Sequence, residues 1–193
     1  MNIGAVISDR SKNIVRSEIF EMLARASKYD DVINFGVGEP HFSTPLQIID
    51  HSHKMASEGH THYTVNAGKI ELRRAIAKKL EKENNIAVNP EEEIIVTMGA
   101  IEALMLLLMA VVNPGDEVII QDPSWVNYQS QIKLMDGKPV PVAVKEENDF
   151  ALTAADVEKC ITDKTKVIFI NSPANPTGGI IEEDELRKIG ELA

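Results

Sequence analysis

Three short segments carry the residue types from which a small-molecule site can be built. Met98-Gly99-Ala100-Ile101-Glu102 sets small residues at the head of an apolar run. If that run is a helix, its first turn offers N–H groups and partial positive charge, which is phosphate-binding chemistry. A tight strand-to-helix turn without a ligand explains the same residues, since neither a GxGxxG nor a P-loop pattern is present. Gln121 to Tyr128 holds Trp125, the only tryptophan, just after Pro123-Ser124. An indole there can lie flat over a planar ligand, or fill core at a helix start. Asn171 to Gly179 reads NSPANPTGG. It has two asparagines, Asn171 and Asn175, and an Asn amide can donate to a phenolate oxygen while staying uncharged, although Asn-Pro and Thr-Gly are also ordinary turn formers.

The flanking patterns say what holds these loops. EIIVT (93–97), EVIIQ (117–121) and KVIFIN (166–171) are short apolar runs that read as buried strands. KPVPVAV (138–144) alternates, and its two prolines place it near a sheet edge. Ala100 to Val112 reads as a helix apolar on nearly every side, hence buried. Further helices are expected over 11–28, with Val15, Ile19, Met22, Leu23 and Ala26 on one face, over 70–84, and from Glu182 onward. Thr44-Pro45 is a start signal for a helix that Gly59 stops, and Thr153 caps one reaching about Cys160. Strands alternating with helices predict an α/β domain with a largely parallel sheet. In such sheets ligands sit beyond the carboxyl ends of the strands, which puts all three loops on one rim.

Composition narrows the classes. The 193 residues carry 30 acidic and 20 basic side chains, a net charge of −10, so nucleic-acid binding by bulk charge is not expected. No run is long enough to cross a membrane, and no signal peptide is evident in the first thirty residues. The single cysteine, Cys160, lies in the apolar pattern VEKCI and fits a core position in a reducing, cytoplasmic compartment. Glu39 and His41 read as a solvated turn. His51, His53, His60 and His62 lack the helical i, i+4 spacing of a metal site, so no metal is expected.

NSPANPTG, together with VGEPHFSTP, HYTVNAGKIELRRAIA and VTMGAIEAL upstream, resembles the N-terminal half of class I, fold-type-I pyridoxal-phosphate aminotransferases of the aspartate aminotransferase type. Four co-linear motifs carry the resemblance from about residue 30 to 193. It implies part of a mostly parallel three-layer sheet domain, incomplete at the C-terminus. Residues 1–44 would be an N-terminal helix and arm, and 45–193 the start of the large cofactor-binding domain. It implies that Gly38 contacts the substrate carboxylate through its backbone, and that Tyr63 reaches the cofactor phosphate of a neighbouring subunit. Gly99, Ala100 and Ile101 would hold the phosphate, without the hydroxyl the family often has there. Trp125 would stack on the pyridine ring, and Asn175 would bond its phenolic oxygen. Trp125 and Asn175, with Gly38, would also face the substrate.

The resemblance further implies a Schiff-base lysine, an aspartate for the pyridine nitrogen and a carboxylate-binding arginine, all downstream of NPTG. No Asp-x-x-Tyr follows that motif, and the Ser-Lys pairs Ser11-Lys12 and Ser27-Lys28 match nothing in the family. The expectation is therefore a chain without its catalytic lysine, inactive alone, with exposed strand edges and helix faces, forming an oligomer such as a dimer. Its parent would move an amino group between an amino acid and a 2-oxo acid. Two alternatives stay open: a non-catalytic partner-binding or regulatory module with this fold, and a fold-type-I lyase using the same cofactor.

Overall fold

The computed structural model describes residues 6–12, 14 and 18–193. The chain divides into two compact units, Met1–Ser17 with Ala103–Ala193, and Glu18–Glu102.

The first unit is built on a three-stranded, wholly parallel sheet in the order β2-β1-β3, with β1 Glu117–Asp122, β2 Lys138–Ala143 and β3 Thr165–Ile168. Helix α6 (Asn127–Leu134) connects β1 to β2, and α7 (Ala154–Glu158) lies between β2 and β3. The central strand is buried on both faces, as its unbroken apolar sequence requires. Its alternation deals side chains to two layers. Val118 and Ile120 pack with Leu108, Val112 and Ile132 from α5 (Gly99–Val111), its C-terminal flank and α6. Ile119 packs with Val142, Leu152, Val157, Ile181 and Ile189 on the side of α7 and α8 (Glu183–Leu192). The result is the expected α/β layering. β2 is an edge strand as its prolines predict; Lys138 at its start and Val144 just past its end donate their N–H groups to the carbonyls of Asp116 and Asp122, at 2.8 and 2.9 Å.

Thr153 caps α7 as expected, its side chain accepting the Asp156 N–H at 3.2 Å. The acidic first turn of α8 does more than complement the helix dipole: Glu185 accepts the Ala154 N–H at 2.7 Å, tying α8 to the start of α7. At the amino ends of the strands the buried Glu117 carboxylate accepts from Lys138 Nζ at 2.8 Å and Thr162 Oγ1 at 2.7 Å. Cys160 is half-buried against the α7–α8 core.

The second unit holds α2 (Glu18–Ala26), α3 (Leu46–Ser57) and α4 (Ile70–Asn84). Its tightest feature is Arg73, whose guanidinium donates to the carbonyls of Gly68, Pro90 and Glu91 at 2.9–3.1 Å and is buried by them. Gly68 has φ +91°, and a Cβ there would lie 2.7 Å from Val96 Cγ2. The glycine of the VNAG motif is thus a packing requirement.

Four expectations are corrected. The apolar helix α5 is formed, but only Leu108 is buried; Leu106, Leu107, Met109 and Val111 are exposed, because the sheet covers one side of the helix alone. EIIVT forms no strand: among the described residues its only long-range backbone bond is Val96 N–H to Ala67 O, and no described strand pairs with it, although Ile94 is buried and Ile95 exposed. Thr44 does not cap α3. Pro45 stays extended at φ −53°, ψ 136°, so the helix begins one residue later, with no side-chain cap. Over 11–28 the described helices are α1 (Asp9–Lys12) and α2; Val15 lies outside the described residues, and Met22 is exposed while Leu23 and Ala26 are half-buried. Gly59, at φ +91°, follows α3 as expected.

Candidate functional site

In the first unit, two loops leave the carboxyl ends of neighbouring strands. The β1 loop runs through Pro123 and Ser124 to Trp125, which is half-buried, with part of its surface open. The Tyr128 N–H donates to Trp125 O at 3.1 Å, closing the turn into α6. The same spacing of three residues brings the rings together: Trp125 and Tyr128 meet edge to face, with centroids 5.4 Å apart and planes at 83°. Phe169, the first residue after β3, lies 5.0 Å from Tyr128 at 31°. Its own N–H is held by Ile119 O at 2.9 Å. Burial pushes the Tyr128 phenol above its ordinary value.

The β3 loop is closed on itself. Ala174 N–H donates to Gly179 O at 2.8 Å, Gly178 N–H to Ala174 O at 2.7 Å, and Ile181 N–H to Ser172 Oγ at 3.0 Å. Gly178 takes φ +75°, which suits glycine. Gly179 has no room for a side chain, since a Cβ would lie 2.5 Å from Phe150 O and 2.9 Å from Asp149 O. Ala174 is buried and Asn175 exposed on the rim, its amide making no hydrogen bond among the described residues.

The other predicted residues belong to the second unit. Gly99, at φ +74°, opens α5, and a Cβ on it would meet nothing within 4 Å. Ala100 and Ile101 form the first turn with it, and both are exposed. Glu102 reaches back to accept the Met98 N–H, so a carboxylate already serves this helix end. Gly38 lies in an exposed loop with open space around it, and Tyr63 is fully exposed. The structure therefore brings Trp125 and Asn175 to one edge of one sheet, and sets the remaining five in the unit Glu18–Glu102.

The side chains that support the two candidate loops carry no motif of their own in the sequence. Tyr128 and Phe169 back Trp125, and Gly179 pins the Asn175 loop. The i, i+3 aromatic spacing and the doubled glycine were the available signals.

A parallel α/β sheet with an aromatic loop and an NPTG loop on its carboxyl edge is the layered α/β class that the sequence motifs imply. The chain belongs to the aminotransferase class I and II family, whose profile matches residues 30–193. It is 42% identical over 187 residues to the aspartate aminotransferase of Pyrococcus abyssi, covering 97% of this chain and 48% of that one. It is 47% identical over 162 residues to the aspartate aminotransferase of Bacillus subtilis, covering 84% and 41%. Among solved structures, the aspartate aminotransferase from Thermus thermophilus with maleate superposes with a TM-score of 0.92 at 35% identity, over 97% of this chain and 50% of that one. The alanine aminotransferase from Pyrococcus furiosus does so with a TM-score of 0.89 at 31% identity, over 97% and 49%. The chain spans about half the length of these relatives. Among the described residues no helix is long and apolar enough to cross a membrane.

Proposed function

We propose that these residues are the N-terminal part of a pyridoxal-phosphate aminotransferase that moves an amino group between an amino acid and a 2-oxo acid. The observation that carries the reading is the family match over 30–193, which runs through all four motifs. The names of the relatives favour transfer over the lyase and non-catalytic alternatives.

The residues present suit the cofactor. Gly99 leaves open space in front of a helix N-terminus, where a phosphate can approach the backbone. Trp125 keeps part of its ring uncovered, and the Asn175 amide has an unused donor at the rim. When bound, pyridoxal phosphate supplies the carbonyl that takes up the amino group and the ring that delocalises the electrons released at the substrate carbon. The protein's part is orientation. Gly99, Ala100 and Ile101 hold the phosphate end, Trp125 covers one face of the ring, and Asn175 donates to the phenolic oxygen without adding charge. Gly38 offers its backbone to the substrate carboxylate. The full exposure of Tyr63 supports a role in the site of a neighbouring subunit, and hence a homodimer, and the single cysteine suits a reducing, cytoplasmic compartment.

We further propose that no lysine among residues 1–193 makes the covalent bond to the cofactor. Incubating the 193-residue chain with pyridoxal phosphate, reducing with borohydride and mapping the product tests this. Scattered substoichiometric labelling is expected, with transaminase activity absent. A stoichiometric adduct on one lysine of this chain would overturn the assignment.

A further inference from the structure

We propose that Tyr128 is the positioning residue for the Trp125 ring, with Phe169 as its backstop. The inference rests on the reading that Trp125 covers a planar cofactor.

Three observations converge. Trp125 and Tyr128 are joined twice, by the backbone bond Tyr128 N–H to Trp125 O and by the edge-to-face ring contact. Tyr128 is itself fixed from behind by Phe169, and both rings pack against the core of Leu108, Val112, Val118, Ile120 and Ile132. Phe169 is anchored to the central strand through Ile119 O. A half-buried indole on a loop would otherwise sample several rotamers, each misplacing the ring face. The chain of contacts runs from the sheet through Phe169 and Tyr128 to Trp125. It therefore transmits the rigidity of β1 and β3 to the Trp125 ring on the rim. Both contacts of Tyr128 with its aromatic neighbours are made by its ring, so the ring carries the proposed positioning.

Trp125 is the only tryptophan of the chain, so its fluorescence reports this ring alone. Time-resolved emission and acrylamide quenching are measured on the 193-residue chain and on Tyr128→Phe, Tyr128→Leu and Phe169→Leu, with circular dichroism to confirm folding. Losing one edge-to-face pair should lower the ratio of docked to undocked indole about fivefold. Tyr128→Leu should thus add a second, more quenchable lifetime. Phe169→Leu should move the same way by less, and Tyr128→Phe should match the parent. Unchanged lifetimes in a folded Tyr128→Leu chain would overturn the proposal, as would a Tyr128→Phe chain as loose as Tyr128→Leu. If Tyr128→Leu does not fold, the Phe169→Leu and Tyr128→Phe pair decides alone. Quenching of the same emission by added pyridoxal phosphate separately tests the cofactor reading. Its absence in a chain with a docked ring counts against that reading and leaves the positioning role standing.

Discussion

Gly179→Ala adds one methyl group where the structure has no room. The new Cβ would sit 2.5 Å from Phe150 O and 2.9 Å from both Phe150 C and Asp149 O. These are backbone atoms, so no rotamer change relieves the clash, and one strand of chain must shift by roughly half an ångström or more. Overpacking of this kind costs about 1–3 kcal/mol. The shift falls on the bond from Ala174 N–H to Gly179 O, which closes the loop bearing Asn175. Gly190→Ala is the matched control. It lies in α8 of the same unit, and its Cβ would meet nothing within 4 Å. There the change should stabilise by up to about 1 kcal/mol through helix propensity. Urea unfolding of the two variants should move the midpoint in opposite directions, with Gly179→Ala lower by about 0.5–3 M at an m-value of roughly 1–2 kcal/mol/M. Equal midpoints would refute the close approach of the 149–150 turn to this loop. So would a Gly179→Ala chain as stable as the parent.

Three further outcomes are expected. Thr153→Ala should cost about 1 kcal/mol in thermal or urea unfolding by removing the α7 cap, and Thr153→Ser should restore most of it. Ile119→Ala empties a fully buried position on the central strand, flanked by two strands and faced by two helices, and should cost about 2–5 kcal/mol in the same assay. Glu117 is held below the ordinary glutamate value of 4.5, first by Lys138 and then by Thr162. A folded-state value below the unfolded one means stability that is present above the unfolded value and lost as pH falls through the folded one. The urea midpoint should therefore drop with acid below about pH 4.5, and Glu117→Gln should flatten that part of the profile.

Where local pattern and tertiary environment agree, the sequence is readable. EVIIQ is apolar at every position and becomes the strand buried on both faces; KPVPVAV alternates with prolines and becomes an edge. Thr153 and Gly59 act over one turn, so the residues that decide them are adjacent in sequence. EIIVT has the same apolar character as EVIIQ, yet a strand exists only where a partner backbone pairs with it, and no window of five residues contains that partner. The exposed flank of α5 has the same origin, since an all-round apolar helix announces how much surface it would bury and not what covers it. The site divides likewise. Trp125 and Asn175 stand out by type and by their loops. Phe169 is 41 residues from Tyr128, and the touch between them depends on β1 and β3 lying side by side.

The register of β2 makes the sheet asymmetric as a surface for growth. Residues of even number, from Lys138 to Val144, turn their N–H groups toward β1. Pro139 and Pro141 occupy the outward positions, where two donors would otherwise face solvent. That margin is chemically sealed, able to accept hydrogen bonds but almost unable to donate them. β3 contains no proline, and its outer margin keeps both donors and acceptors. Any additional strand meets a template on one side only. Proline spacing in a six-residue segment thus acts as a direction sign for assembly, and it steers misfolding encounters to the β3 margin as well.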